Sequence, residues 1–239
     1  MHYDWERLAA GVYRCRLPFL DVTVGLVEGV DHILLIDSGT TLLEGGAIAE
    51  DVNCLTGGFV TTVLLTHRHF DHILGAAAFT GAQILAAPAV TDSLTLRLAQ
   101  TRSHALVYGA DAGELDRAIA AARKPDRELT FAGLEMGADL DLGGRVVRIE
   151  HPGRGHTDHD LIVAVPAKSP TDPTVVFCGD LVEESGDPAI DAESDLDQWP
   201  RTLDGVLALG GPNAVYVPGH GALVDAEFVA RQRDWLTSR

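Results

Sequence analysis

Three things are scarce in this sequence, and each scarcity excludes something. Cysteine occurs only three times in 239 residues, at Cys15, Cys54 and Cys178. Three thiols cannot all pair, and they fall in runs that read as strand or helix, so a dense disulfide framework is excluded and a reducing compartment fits. Basic residues number 18 against 35 acidic ones, a formal charge of −17. Such a chain repels phosphate backbones, which argues against nucleic acid as a substrate, while the acidity itself speaks for solubility before partners. No uninterrupted apolar run is long enough to span a bilayer, and residues 1–10 carry Asp4 and Glu6 with no apolar core of signal-peptide length. The expectation is a cytoplasmic protein with a small-molecule substrate and no nucleic-acid or membrane partner; the sequence is silent on oligomeric state.

What is present is apolar material in short, regularly interrupted runs. Hydrophobic residues make up 46% of the chain, enough for a substantial core, and Gly and Pro are scattered rather than pooled, so residues 1–239 read as a single domain. Residues 12–16, 22–28 and 32–36 read as an opening antiparallel strand series that Asp37-Ser38-Gly39 ends. Thr40 or Thr41 caps a helix through about Cys54, Gly57-Gly58 breaks the chain, and 60–65 is an apolar strand. Residues 73–79 have helical character, 82–87 make another strand, and 89–123 form a mostly helical segment able to cover a site mouth. Strands return at 146–150, 161–165 and 174–178, followed by an acid-rich loop over 183–200, a helix over 201–209 and a last strand at 214–217. Pro218-Gly219-His220-Gly221 reads as a tight turn and 226–236 as a closing helix. The order predicts an α/β (α+β) chain of two β-rich halves with helices outside, without a residue-level internal repeat.

The chemistry concentrates at strand ends. His67, His69, Asp71 and His72 crowd six positions after the 60–65 strand, and in extended chain 67, 69 and 71 project to one side while 72 opens the next turn. Neutral imidazole and carboxylate are the donors a borderline cation such as zinc accepts. His151, Gly155-His156-Thr157, Asp180 after Gly179, and His220 between two glycines recur at later strand ends. Glycine beside a ligand lets the backbone approach closely. Together these groups supply enough donors for two metals.

Residues 66–75, T-H-R-H-F-D-H-I-L-G, resemble the H-x-H-x-D-H signature of the metallo-β-lactamase superfamily. Gly155-His156-Thr157, Gly179-Asp180 and Pro218-Gly219-His220-Gly221 are similar to its remaining ligand motifs, and Asp37-Ser38-Gly39 to its early structural motif. The resemblance spans residues 37–221 and, as an ordered set, is highly specific. It implies a four-layer αββα sandwich with the site at one edge between the sheets. It also implies that His67, His69 and His156 hold a first metal, that Asp71, His72 and His220 hold a second, and that Asp180 bridges them. Asp37 would orient a loop or a ligand histidine; the plain alternative is a turn-forming Asp. The implied cofactors are two divalent ions, zinc first and iron or manganese as alternatives. About 3.5–4 Å apart, they would share a water whose lowered pKa supplies hydroxide, with Asp71 orienting it or taking its proton.

The implied reaction is hydrolysis of a small-molecule ester, thioester or lactone. True β-lactamases of the superfamily generally have cysteine or serine near the bridging place, so Asp180 points to the glyoxalase II, lactonase and phosphodiesterase branches. Glyoxalase II proper uses basic residues in a C-terminal helical region, whereas this chain ends soon after His220. The alternative from another reaction class is a mononuclear-iron persulfide dioxygenase of the same fold, with His67, His156 and Asp180 as its face. A metal-free regulatory module is a third reading, one usually marked by broken ligand motifs, and none is broken here. Arg154 is a candidate for a substrate carboxylate, and His104 and Tyr108 are candidates for the pocket wall. Strand geometry turns at least one of Asp158 and His159 away, and Cys178 reads as a buried small hydrophobe.

Overall fold

The structure is a computed structural model that describes residues 1–131 and 137–239. Alternating apolar residues build two sheets. In the first, β1 (Glu6–Ala9), β2 (Val12–Arg16), β3 (Thr23–Glu28) and β4 (Ile33–Ile36) run antiparallel. The sheet continues in parallel through β5 (Thr62–Leu65), β6 (Gln83–Ala86) and β7 (Arg127–Glu128). The second sheet is ordered β12-β11-β10-β9-β8, from β8 (Gly137–Asp141), β9 (Val146–Glu150), β10 (Ile162–Val165), β11 (Val175–Glu183) and β12 (Val215–His220). Among the described residues no helix is long and apolar enough to cross a membrane.

Side-chain alternation divides the core into three apolar seams, and the seams define the layers. Leu34, Ile36 and Leu64 of the first sheet meet Ile149, Val163, Val175 and Phe177 of the second. The intervening residues Ile33, Leu35 and Val63 face the other way, against Ile48 and Val52 of α1 (Leu42–Thr56). On the far side, Ile162, Val176 and Cys178 pack on Trp199, Leu203 and Val206 of α6 (Trp199–Gly210) and Val229 of α7 (Ala226–Thr237). The result is the expected αββα sandwich. All three thiols are free, and Cys178 is buried in this last seam, as its apolar surroundings predicted.

Local chemistry sets the element boundaries. Thr41, rather than Thr40, caps α1: its hydroxyl accepts from the Glu44 N–H while the Glu44 carboxylate accepts from the Thr41 N–H, and Gly57 ends the helix at φ 71°. The segment after β5 forms α2 (Phe70–Ile73) and a 3-10 turn, Leu74–Ala78. The covering segment comprises α3 (Pro88–Ser93), α4 (Leu98–Val107) and α5 (Ala112–Ala121). Two expectations need correction. β11 continues past Cys178 through Glu183, all nine residues buried, and β12 runs through His220 instead of turning at Pro218. Parallel pairing between these two strands, Gly179 with Pro218 and Glu183 with His220, extends both.

One close approach seats the site on the first sheet. Gly75 lies directly on the loop after β4: its N–H donates to Gly39 O at 2.9 Å, and a Cβ there would stand 2.0 Å from Ser38 O. Backbone cannot yield as a flexible side chain would, so Gly75→Ala is expected to cost about 1–3 kcal/mol. Urea denaturation measures it; an unchanged midpoint would contradict the packing described.

Candidate metal centre

The parallel register of β4 and β5 places their C-terminal ends side by side, and the polar cluster grows from that edge. Asp37, directly after β4, has a positive φ of 62°. Its carboxylate accepts from the Thr66 N–H at 2.8 Å and the Thr66 hydroxyl at 2.9 Å, and it meets His72 Nδ1 at 2.9 Å. The left-handed conformation costs an L-residue about 1–2 kcal/mol. Three hydrogen bonds to a buried carboxylate, about 1.5–3 kcal/mol each, outweigh it. Between its two readings, turn former and orienting residue, Asp37 does both.

Beyond this support, residues from both sheets converge. Asp180 Oδ2 stands 3.5 Å from His67 Nε2, 3.4 Å from His156 Nε2 and 3.4 Å from His220 Nε2, while its Oδ1 is 3.1 Å from His72 Nε2. His69 presents Nδ1, 2.9 Å from His156 Nε2. Asp71 Oδ2 is 3.5 Å from His220 Nε2 and 3.8 Å from His72 Nε2. The donors fall into two groups, His67, His69, His156 and Asp180 in one and Asp71, His72 and His220 in the other, each with all its atoms within 4.8 Å. All seven residues expected from the sequence therefore meet, and one Asp180 oxygen touches both groups.

The chemistry of these donors fits a cation. His67 Nε2 and Asp180 Oδ1 are buried without a hydrogen-bond partner, a costly state that coordination would relieve. The opposite ring nitrogens are already engaged: His67 Nδ1 with the Thr66 hydroxyl, His72 Nδ1 with Asp37, His156 Nδ1 with Ala189 O and His220 Nδ1 with Leu20 O. Such contacts fix ring orientation and leave the inward nitrogen free. Gly219 is required beside Asp180, since a Cβ would lie 2.0 Å from Asp180 Oδ1. Behind His156, Trp199 packs edge-on at 5.8 Å and donates its indole N–H to Leu181 O.

Electrostatics separate the groups. Burial pushes His67 and His69 well below the usual imidazole range. Burial pushes His72 and His220 the same way but is overcome by Asp180, with Asp37 and Asp71 adding to it, so His72 rises well above that range and His220 to about 10. Burial opposes ionisation of Asp180 as well, yet His72, His220 and His67 hold it well below the ordinary carboxylate range.

The groups open into a cavity of about 290 Å³ walled by Phe70, His104, Tyr108, Glu183 and residues 185–187 and 189–191. His104 and Tyr108 of the covering segment thus line it, their rings edge-on at 5.1 Å, and His104 meets His69 at 5.8 Å. A smaller recess of about 180 Å³ shares the His69, Phe70, His104 and Asp191 walls and adds Arg68 and Arg97, both paired with Glu193. Arg154 points elsewhere: it is half-exposed and its Nε forms an ion pair with Asp195 at 2.9 Å. His151 and His159 also stay outside, engaged by Asp160 O and Asp158. Sequence reasoning missed Glu183, which burial and then Asp180 push above the usual carboxylate range. The signal was an acid closing a buried apolar run.

The metallo-β-lactamase superfamily model matches residues 17–220, and the chain belongs to that superfamily. It is 32% identical over 205 residues to an uncharacterized protein of Mycobacterium tuberculosis, covering 81% of each. It is 24% identical over 179 residues to a type 2 metallo-β-lactamase of Bacillus cereus, covering 74% of this chain but only 58% of that enzyme's length. Two solved structures share the fold. The Erythrobacter litoralis metallo-β-lactamase, with β-mercaptoethanol in its active site, has a TM-score of 0.74 at 18% identity, covering 100% of this chain and 97% of that one. The Pseudomonas aeruginosa enzyme FIM-1 in its mono-zinc form has a TM-score of 0.75 at 19% identity, covering 99% and 95%.

The raised histidines lead to a proton count. Ligand imidazoles must be neutral, so metal uptake at pH 7 is expected to release about two protons, from His72 and His220, and affinity should rise with pH. The sign is consistent for the metal-free fold: both folded pKa values exceed the unfolded value of 6.5, so the stabilisation is full below 6.5 and is lost as pH rises through about 10 for His220. Calorimetric titration in two buffers of different ionisation enthalpy counts the protons; none released would contradict charged His72 and His220.

Proposed function

We propose that this chain is a dinuclear metal hydrolase, zinc being the first expectation, that cleaves a small-molecule ester, thioester or lactone. The supporting observation is the single Asp180 oxygen within 3.5 Å of His67, His156 and His220, which joins two donor groups beside an open cavity. His67, His69 and His156 would hold one ion, Asp71, His72 and His220 the other, and Asp180 both. Two ions bound there supply Lewis acidity and a water acidic enough to ionise near neutral pH.

The protein's own groups do the rest. Asp71 lines the cavity and is placed to orient the attacking water or accept its proton. Asp37 holds His72 in one orientation through the buried Nδ1 contact, so the inward nitrogen keeps its aim during turnover. Phe70, His104 and Tyr108 give the cavity an aromatic wall for the acyl portion and help exclude water from it. The chain's acidity and the walled cavity favour a small molecule over a polyanion.

A β-lactam is the second reading, favoured by the similarity to the Bacillus cereus enzyme. Asp180 argues against it, because it stands where true β-lactamases generally carry cysteine or serine.

Metal content of protein purified without added metal comes first. About two zinc equivalents support the hydrolase and an ester, thioester, lactone and β-lactam panel; about one iron without zinc moves the reading to thiol oxidation. His69→Ala and Asp180→Ala are each expected to lower hydrolysis at least about 10³-fold with the fold retained by circular dichroism, because each removes a side chain that would hold the metal supplying the reaction's Lewis acidity. Full activity in both variants would refute the site.

A further inference from the structure

Glu183 is an anomaly that the seven expected ligands leave unexplained. It is only 7% exposed, at the end of a nine-residue strand that is otherwise apolar save for Asp180. Its carboxylate accepts from the Ser185 hydroxyl at 2.7 Å, and among the described residues its hydrogen-bond partners are confined to that residue's side chain and backbone. Among the described residues no Lys, Arg or His nitrogen lies within 4.0 Å of it, although Asp180, another acid, and His220 each place a donor atom within 4.8 Å of one of its oxygens. A carboxylate buried beside a second carboxylate with no paired cation is strongly disfavoured unless a positive charge is supplied.

Strand geometry shows that the placement is built. On a regular strand residues 180 and 183 point to opposite faces. The pairing of β11 with β12 slips between Gly179 and Glu183, and that irregularity brings Glu183 onto the same side as Asp180, directly opposite His220. Both acids line the same cavity.

We infer that Glu183 joins Asp180 and His220, whose donor atoms and its own lie within 4.8 Å of one another, as a further protein ligand on the side of the second metal position that Asp71 and His72 complete. The inference deepens the metal centre proposed above and rests on it. The two positions differ in hardness. The first has three imidazoles and the shared Asp180, a set suited to zinc; the second has three carboxylates and two imidazoles, a set that favours oxygen-loving ions such as Mn²⁺. Charge agrees: Asp37, Asp71, Asp180 and Glu183 bring four buried negative charges, no Lys or Arg pairs with any of them among the described residues, and two dications would balance them.

The test uses metal-free full-length chain loaded with one equivalent of Zn²⁺ and titrated with Mn²⁺, free Mn²⁺ being read by electron paramagnetic resonance. Wild type is expected to bind one Mn²⁺. Glu183→Gln should weaken that step at least tenfold while leaving the affinity for the first Zn²⁺ unchanged. Glu183→Asp, which keeps the charge but withdraws the oxygens by one methylene, is the second variant should the amide disturb folding; it too should weaken Mn²⁺ without shifting the denaturation midpoint. Mn²⁺ affinity equal to wild type in either folded variant would overturn the assignment and leave the hydrolase reading standing, whereas a wild-type chain that takes up no metal would remove both.

Discussion

The contact on which the site depends is that between Asp37 and the start of the histidine segment. One buried carboxylate binds the backbone and hydroxyl of Thr66 and the ring of His72, so it fixes where the chain leaves β5 and how it enters α2. Thr66 passes the constraint on in two directions. Its hydroxyl meets His67 Nδ1, and its carbonyl accepts from the Leu161 N–H at the head of β10. A single side chain in a left-handed turn thus aims donors in both groups and pins the second sheet against the first. Gly75 is necessary to the same arrangement, because only without a Cβ can the 3-10 turn lie on Ser38.

A consequence is that the polar cluster is over-determined in position and under-compensated in charge. Ring orientations are set from outside by Thr66, Asp37, Ala189 and Leu20, while the inward atoms of His67 and Asp180 are orphaned. Protein interiors avoid that state, since an unsatisfied buried polar group costs about 1–3 kcal/mol. The negative charge shows in the imidazoles: His72 and His220, each meeting more than one carboxylate, are raised, while burial lowers His67 and His69. Protons and metal ions compete for the same negative charge.

Much of this was legible in the sequence, and the illegible parts share a cause. The histidine cluster announced itself by density, and the strands by alternation, because both signals are local. The continuation of β11 to Glu183 and β12 to His220 was hidden, since it depends on two strands more than thirty residues apart lying parallel. Reading Pro218-Gly219-His220-Gly221 as a tight turn added to the concealment. Gly219 lies within the strand, where the missing Cβ lets backbone pass Asp180 Oδ1, the close approach expected of a glycine beside a ligand. Arg154 misled for the converse reason: it stands two residues from His156 along the chain, but Asp195 draws it outward.

The division of donors between the sheets ties the fold to the chemistry. The first sheet contributes His67, His69, Asp71 and His72 through the segment after β5; the second contributes His156, Asp180, Glu183 and His220 through its loops and the ends of β11 and β12. Neither sheet alone can assemble either group of donors, because Asp180 and its neighbours reach the histidine segment only when the seam of Leu34, Ile36, Leu64, Phe177 and Val217 is closed. Any ion bound there favours the packed pair of sheets over a separated one by mass action. Loosening the apolar seam should therefore weaken metal binding without touching a ligand, and metal should in turn protect the seam, which makes the core between the sheets as much a part of the site as the histidines at its edge.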